Sequence, residues 1–241
     1  MINFKIQKFL IFSLFALFFP ANLLSENLRL KSFGHSSFLI KGGGQSVLLN
    51  PFKSIGCTAG LEEINNEKYD FILASSRLSD EGFNPKNNLM FVDSGIYNVK
   101  DIILNGISIP HDRYGGRRFG MATVWIWEQN NFKIVHMGGA AGELNFNDKI
   151  LLARPDLLFI SIGGGPKSYN ASEASEIVKF LKPKAVIPVH FLKENNKNFG
   201  CNFTDENLFL NKMKEYNVQY ISDTFIIKKK QLEKNTIYIL K

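Results

Sequence analysis

The chain has 241 residues, of which 45% are hydrophobic and 21% are charged, and its formal net charge is +7. These proportions are typical of a globular protein with a sizeable core and exclude a disordered or fibrous chain. The positive charge is mild and is spread over many lysines, so it argues against a nucleic-acid-binding protein.

Residues 1–25 are predicted to form a signal peptide or an uncleaved N-terminal anchor. Lys5 and Lys8 precede an apolar run over residues 9–19, which Pro20 ends. Such a run is short for crossing about 30 Å of hydrocarbon but is typical of a signal peptide. We therefore expect an exported protein, in the periplasm, the thylakoid lumen or outside the cell. The alternative is a protein that contacts a membrane only through residues 1–25.

Residues 26–241 are predicted to form one domain whose first half is rich in strands. Short apolar runs separated by turn residues predict strands at 28–33, 38–41, 47–49, 71–74, 102–110, 123–128 and 132–136. Gln129, Asn130 and Asn131 between the last two strands are typical of a hairpin turn.

The second half alternates strands with helices. Asn170 is expected to cap a helix together with Glu173, and Pro183 ends it. A second helix is expected to open at Thr204, and further strands are predicted at 157–162, 185–189, 219–221, 225–227 and 237–240. Strands followed by strand–helix alternation predict an α/β sandwich with helices outside two sheets.

All four histidines of the chain close or directly follow a predicted strand. They are His35, His111, His136 and His190. Strand ends hold side chains rigidly while the loops beyond them remain accessible, so sites often form there. A single histidine at such a place is usually structural, but four of four favour a shared site.

Three segments resemble metallo-β-lactamase-fold hydrolases related to ascorbate-phosphate lactonases. They are residues 34–52, which open on Gly-His-Ser-Ser-Phe and close on Leu-Asn-Pro-Phe, residues 133–139 and residues 156–191. The segments follow one another in the family's order and span most of the domain. The resemblance implies a four-layer αββα sandwich.

The same resemblance implies where two metal ions would be held, and this chain departs from that pattern. The implied positions are Ser76, Leu78, Asp80, Glu81, His111 and His190, with the bridging aspartate at Gly139. Ser76 and Leu78 replace two histidines of the family, and Glu81 replaces a third. Because leucine offers no ligand atom and glycine has no side chain, we do not expect a dinuclear zinc centre.

A single metal ion is compatible with the donors that remain. Asp80, Glu81 and His190, with His111 as a further ligand, form a set suited to one Zn, Mn or Fe ion. Asp80 and His111 are then the candidate catalytic residues, His111 acting as base or ligand. The alternative is a metal-free site in which Asp80 and Glu81 cap a helix starting near Ser79 and His190 hydrogen-bonds to them.

A cationic loop follows the strand that ends before His111. It carries Arg113, Arg117 and Arg118 among several glycines. Arginine forks bind carboxylate or phosphate groups, so this loop, together with His35, is expected to bind a small anionic molecule. The alternative is that these arginines form surface ion pairs of little energetic value.

The two cysteines allow more than one interpretation. Cys57 and Cys201 lie 144 positions apart, and in an oxidising compartment they can form a disulfide or remain free thiols. A free Cys57, or Ser76, near His111 or His190 would allow a nucleophilic dyad.

Two functions of different classes follow from these observations. The first is a hydrolase of a small anionic substrate with a remodelled, at most mononuclear, metal site. The second is a non-catalytic protein that binds an anionic small molecule and has lost the dinuclear zinc centre.

Overall fold

A computed structural model describes residues 26–193 and 201–241 of the chain. The predicted signal peptide or anchor lies outside these residues. The strands of the first half are β1 Asn27–Gly34, β2 Ser37–Gly42, β3 Gln45–Leu49, β4 Phe71–Leu73, β5 Met90–Phe91, β6 Gly95–Val99, β7 Ile102–Pro110, β8 Met121–Gln129 and β9 Phe132–His136. The second half contains α1 Phe146–Leu152, β10 Leu157–Ser161, α2 Ala171–Leu181, β11 Ala185–Val189, α3 Asn207–Leu210, β12 Asn217–Ile221, β13 Thr224–Lys228 and β14 Thr236–Leu240.

The strands form two sheets packed face to face. The first sheet has the order β13-β1-β2-β3-β4-β5, and the second has the order β12-β14-β11-β10-β9-β8-β7-β6. Alternate side chains of both sheets meet in one apolar core, where Phe38 of the first sheet lies 4.8 Å from Phe159 of the second between ring centroids. Burial of these side chains is the main force that holds the sheets together.

The outer faces of the two sheets are covered differently. On the second sheet, the apolar stripe of α2, with Ala174 and Val178, packs against the strands together with Phe209 of α3. On the first sheet, the segment 51–70 provides the cover through Ile64 and Tyr69, and its only regular element is the 3-10 turn Gly56–Thr58. The predicted α/β sandwich of two packed sheets is confirmed, and of the helices predicted outside both sheets the described ones lie over the second sheet.

Local sequence signals account for the elements that were predicted correctly. Asn170 accepts hydrogen bonds from the backbone of Ser172 and Glu173, and the Glu173 carboxylate accepts one from the Asn170 backbone, as the capping box requires. Asn130 and Asn131 both adopt left-handed backbone conformations in the hairpin between β8 and β9, which asparagine tolerates better than most residues.

The helix predicted to open at Thr204 is wrong in its start. The helix α3 begins at Asn207, covers one turn, and Glu206 precedes it without a side-chain cap. Thr204 instead hydrogen-bonds to the Gly163 carbonyl through its backbone N–H, 2.9 Å away. Tertiary pairing therefore overrides the local helix signal. Three short elements were missed, namely β5, β6 and α1, although Asn145 and Asp148 form a capping box before α1.

The topology brings polar loops to one edge of the sandwich. His35 follows β1, the loop with Asp80 follows β4, His111 follows β7 and His190 follows β11. Within the described residues, no helix is long and apolar enough to cross a bilayer.

Candidate functional site

Five of the residues predicted from sequence to form the site lie together, although they come from four separate loops. They are His35, Asp80, Glu81, His111 and His190, and all five are buried or nearly so. Their contacts form three pairs, each of which has a different chemical character.

The first pair joins Asp80 to Lys167. The Lys167 ammonium donates a hydrogen bond to the Asp80 carboxylate, and only 17% and 8% of the two side chains are exposed. His35 approaches the same carboxylate oxygen at 3.9 Å. Lys167 lies in the loop between β10 and α2, where Gly164 and Gly165 adopt left-handed conformations. The lysine therefore supplies a positive charge beside Asp80.

The second pair joins Glu81 to His111. The His111 Nε2 atom lies 2.5 Å from Glu81 Oε1, and both side chains are almost wholly buried. Burial by itself would raise the pKa of Glu81, but the charge and hydrogen bond of His111 hold it well below its usual value. Burial likewise opposes protonation of His111, but Glu81 raises the pKa of this histidine. Both shifts favour an ionised Glu81 beside a protonated His111.

A polar network fixes the second carboxylate oxygen of Glu81. The Ser75 hydroxyl donates to Glu81 Oε2 and accepts from Asn50 Nδ2 at 2.8 Å. The Ser75 backbone N–H in turn donates to Asn50 Oδ1, also at 2.8 Å. Ser75 and Asn50 were not predicted as site residues. The signal at Asn50 was its place in the Leu-Asn-Pro-Phe end of the first segment that carries the resemblance.

The third pair consists of His35 and His190. The His190 backbone N–H donates to the His35 carbonyl at 3.2 Å, and the ring centroids are 3.8 Å apart. Both residues have left-handed backbones, with φ of 55° and 50°, a strain often found at functional sites. Burial lowers the pKa of His35 to about 4 and holds that of His190 well below its usual value. Phe203 stacks on the His190 ring at 6.0 Å between centroids.

The pair Glu81–His111 occupies the space beside Gly139, where the resemblance implies a bridging aspartate. A Cβ atom at Gly139 would lie 2.3 Å from Cε1 and 2.6 Å from Nε2 of His111, and 2.7 Å from Glu81 Oε1. Such distances are far inside van der Waals contact. Glycine at this position is therefore required by the way in which the pair is packed.

The donors of this site do not fit a metal ion. Over residues 26–193 and 201–241, no three histidine, cysteine, aspartate or glutamate side chains converge as ligands. Both carboxylates are already paired with cations of the protein, Lys167 and His111. The set of Asp80, Glu81, His111 and His190 proposed for one Zn, Mn or Fe ion is therefore not arranged as a metal site.

The metal-free alternative from the sequence differs from the structure in its details. No described helix starts near Ser79, so Asp80 and Glu81 do not act as helix caps. His190 does not bond to either carboxylate, because neither of its ring nitrogens has a hydrogen-bond partner among the described residues. Each carboxylate instead binds a cation.

The arginine loop lies over His111 and is shaped by Asp112. The Asp112 carboxylate accepts four backbone N–H bonds, from Tyr114, Gly116, Arg118 and Phe119, at 2.7 to 3.0 Å. Burial opposes ionisation of this carboxyl group, but these donors lower its pKa to about 2. The ring of Phe119 lies 6.3 Å from that of His111 between centroids.

The three arginines of this loop have different surroundings. Arg113 forms two hydrogen bonds to the Glu173 carboxylate, at 2.6 and 2.7 Å, and two to the carbonyls of Gly165 and Ser168, both at 2.8 Å. It therefore ties the loop to the segment that carries Lys167. Arg117 and Arg118 are exposed, and the Arg118 guanidinium lies 4.9 Å from the Phe119 ring centroid.

The remaining chemical candidates lie outside this arrangement. Cys57 and Cys201 form a disulfide with a Cα–Cα distance of 5.7 Å, so Cys57 is not a free thiol. The Ser76 hydroxyl accepts from the Leu78 backbone N–H at 3.1 Å and is not bonded to His111 or His190. His136 is buried and donates through Nε2 to the Ser36 carbonyl at 3.1 Å. The nucleophilic dyad considered from sequence is thus not formed.

A cavity of about 930 Å³ opens beside the histidine pair. Its lining includes Gly34 and Phe191, the neighbours of His35 and His190 in the chain. The charged side chains around it are Lys31, Glu62, Glu63, Glu67, Lys193, Glu206, Asp223 and Lys241. Carboxylates outnumber lysines in this lining, so the cavity itself does not favour an anion.

Comparison with known proteins agrees with this fold. The family model described as the β-lactamase superfamily domain matches residues 29–190. A UPF0173 protein of Pyrococcus abyssi is 25% identical over 182 residues, which cover 66% of this chain and 81% of the relative. A UPF0173 metal-dependent hydrolase of Cupriavidus metallidurans is 37% identical over 81 residues, which cover 32% of this chain and 26% of the relative.

Two solved structures show the same architecture. One is described as a proposed Zn-dependent hydrolase of the metallo-β-lactamase superfamily from Thermotoga maritima. Its TM-score is 0.70 at 20% identity, over 88% of this chain and 98% of that chain. The metallo hydrolase Igni18 of Ignicoccus hospitalis has a TM-score of 0.61 at 18% identity, over 84% of this chain and 99% of that chain. At these identities the structures establish the fold alone.

Proposed function

Because this chain belongs to the β-lactamase superfamily domain family, we propose that it keeps a hydrolase fold without metal-dependent hydrolysis and binds a small anionic molecule. The observation that carries the proposal is the pairing of both site carboxylates with cations of the protein. Lys167 neutralises Asp80 and His111 neutralises Glu81. A divalent ion would have to displace these cations to gain ligands.

The arginine loop supports an anionic ligand. Asp112 shapes the loop through four backbone N–H bonds, and Arg113 fixes it to the Lys167 segment. Arg117 and Arg118 then remain exposed, and neither has an ion pair within the described ranges. Two guanidinium groups on a loop fixed in this way provide paired N–H donors for a carboxylate or phosphate group.

A second candidate is a hydrolase with a single metal ion, and two observations favour it. One relative of this chain, which matches it over 81 residues, is named as a metal-dependent hydrolase. In addition, the two ring nitrogens of His190 are buried without a hydrogen-bond partner in the described part of the chain. In this version, Asp80, Glu81, His111 and His190 would have to rearrange around the ion.

Metal content separates the two candidates. The full chain is purified without chelators, and Zn, Mn and Fe are measured by plasma mass spectrometry. We expect less than about a tenth of an equivalent of each metal, because binding would require displacement of Lys167. About one equivalent of metal that is lost in His190→Ala but kept in His136→Ala would establish the metal-dependent hydrolase instead.

Anion binding is tested by thermal unfolding with inorganic phosphate and with succinate as probes. A ligand that binds only the folded chain raises the midpoint by mass action. We expect a rise with at least one probe, reduced in Arg117→Gln/Arg118→Gln and retained in Lys228→Gln/Lys230→Gln, which removes two exposed charges elsewhere. Equal responses of both double variants, or no response in the wild type, would contradict the anion assignment.

A further inference from the structure

Two neighbouring helices expose a group of large apolar side chains. On α1, Phe146 and Ile150 lie one turn apart and are 73% and 57% exposed, and Leu151 is 47% exposed. On α2, Phe180 is 51% exposed, and the Lys149 ammonium lies 5.1 Å from its ring centroid. We call Phe146, Ile150, Leu151 and Phe180 the α1–α2 patch. An apolar surface of this kind typically marks an interaction site.

Basic side chains lie among and beside the α1–α2 patch. Lys149 lies between its two helices, and the Arg154 backbone N–H donates to the Leu181 carbonyl at 2.7 Å, which places Arg154 next to Lys182. Arg154 and Lys182 are exposed. None of the three basic residues forms an ion pair in the described part of the chain.

Carboxylates also lie beside the α1–α2 patch. Glu143, Glu173 and Glu176 line a cavity of about 450 Å³ together with Lys149 and Phe180. Glu176 precedes Phe180 by one helical turn, whereas Lys182 follows it. Arg154 and Lys182 therefore lie just beyond the C-terminal ends of the two helices, whereas these carboxylates lie further from those ends.

The described chain begins near the same end of the molecule. The Glu26 carboxylate accepts a hydrogen bond from Asn131 Nδ2 at 2.7 Å. Lys133 follows Asn131 by two residues, and its ammonium group donates to the carbonyls of Leu151 and Ala153 at 3.0 and 2.7 Å. The sequence before Glu26 contains the apolar run 9–19 preceded by two lysines. In the uncleaved chain, this apolar sequence therefore joins the domain beside the C-terminus of α1.

We propose that the α1–α2 patch docks on the surface of an anionic lipid bilayer. The four apolar side chains enter the boundary between headgroups and acyl chains, and Lys149, Arg154 and Lys182 lie against anionic headgroups. Apolar burial and attraction between basic residues and anionic lipids act together in such interfacial binding. A bilayer is favoured over a protein partner because the basic residues and the chain connection both lie at this end.

The experiment places an environment-sensitive fluorophore on the full chain. It is attached at Ile150→Cys in the patch or, as a matched control, at Ile103→Cys, a position on β7 that is 65% exposed. The native cysteines form a disulfide and are not labelled. Any binding through residues 1–25 is common to both proteins, so the fluorophore reports docking of the domain itself.

The proposal predicts a different response at the two positions. With vesicles of phosphatidylcholine and about 30 mol% phosphatidylserine, emission at position 150 should shift to the blue and increase at least about twofold. The response at position 103 should be small. Phosphatidylcholine vesicles, or the added changes Arg154→Gln and Lys182→Gln, should reduce the response at position 150.

Three outcomes would overturn the proposal. The first is no response at position 150 with either vesicle, and the second is an equal response at positions 150 and 103. The third is a blue shift that rises with protein concentration in the absence of vesicles, together with a dimer in light scattering. That result would assign the α1–α2 patch to contact between two copies of this chain.

Discussion

The Lys167 ammonium binds the carboxylate of Asp80 from a loop 87 residues further along the chain. The lysine thus brings a fixed positive charge to a residue that the resemblance to metal-dependent hydrolases assigns to a metal ion. His111 pairs with the carboxylate of Glu81 in the same way. Buried carboxylates need such a partner, and the partner here is covalently part of the protein.

Removal of the lysine should destabilise the fold. Lys167→Met leaves Asp80 buried without its cation, and we expect the free energy of unfolding to fall by about 2–4 kcal/mol in urea denaturation. Asp80→Asn in the same chain should restore part of this loss. Lys31→Met removes an ion pair with Glu67 in which 45% of the lysine side chain is exposed. This change should lower the free energy of unfolding by less than about 1 kcal/mol. Equal losses for the two lysines would refute the buried-pair interpretation.

A side chain at Gly139 should be poorly tolerated. Gly139→Ala places a methyl group against the His111 ring, and overpacking of this kind costs about 1–3 kcal/mol. The clash is partly removed in the double variant Gly139→Ala/His111→Ala. Its loss of stability in urea should therefore be smaller than the sum of the two single losses. Additive losses would show that the two positions do not interact.

The disulfide should contribute strongly to stability. Cys57 and Cys201 close a separation of 144 residues, and loss of a native disulfide typically costs about 2–5 kcal/mol. Dithiothreitol should lower the midpoint of thermal unfolding of the wild type. The double variant Cys57→Ser/Cys201→Ser should have this lower midpoint both with and without dithiothreitol. A midpoint that does not respond to reduction in the wild type would contradict this expectation.

Stability should fall as the pH is lowered from 6.5 to 4, in part because of His136. Burial lowers the pKa of His136 from 6.5 to about 4, so between these values the unfolded chain takes up a proton that the folded chain resists. The contribution of His136 to the free energy of unfolding is fully present above its unfolded pKa of 6.5. This contribution decreases by about 2 kcal/mol between pH 7 and pH 5. In His136→Gln, the free energy of unfolding should depend less steeply on pH. The decrease in slope should correspond to at most one bound proton. An unchanged slope would show that His136 does not titrate in this way.

Much of the secondary structure could be predicted because it depends on local patterns. Runs such as 157–162 and 185–189 are apolar throughout, and the structure buries them as central strands of the second sheet. The caps at Asn170 and the turn at Asn130 likewise act over a few residues. Elements without a clear pattern, such as the two-residue strand β5, were missed because only pairing with β4 defines them.

The candidate site could be predicted only in part. The histidines and acids were identified because they follow strands, and the structure brings His35, Asp80, Glu81, His111 and His190 together. Lys167 was missed, because a lysine after a glycine-rich turn gives no local signal of its partner. The use of Arg113 as a tie to Glu173 was missed for the same reason.

The sequence by itself determined most of the strands, the principal helix and the placement of polar residues at strand ends, since these depend on hydrophobic periodicity and capping over short distances. Only the tertiary structure decided which cation neutralises each carboxylate, that the two cysteines are joined, and that the donors do not converge as metal ligands. These features are contacts between loops many tens of residues apart. Their energies depend on burial and distance, which become defined only when the two sheets pack together.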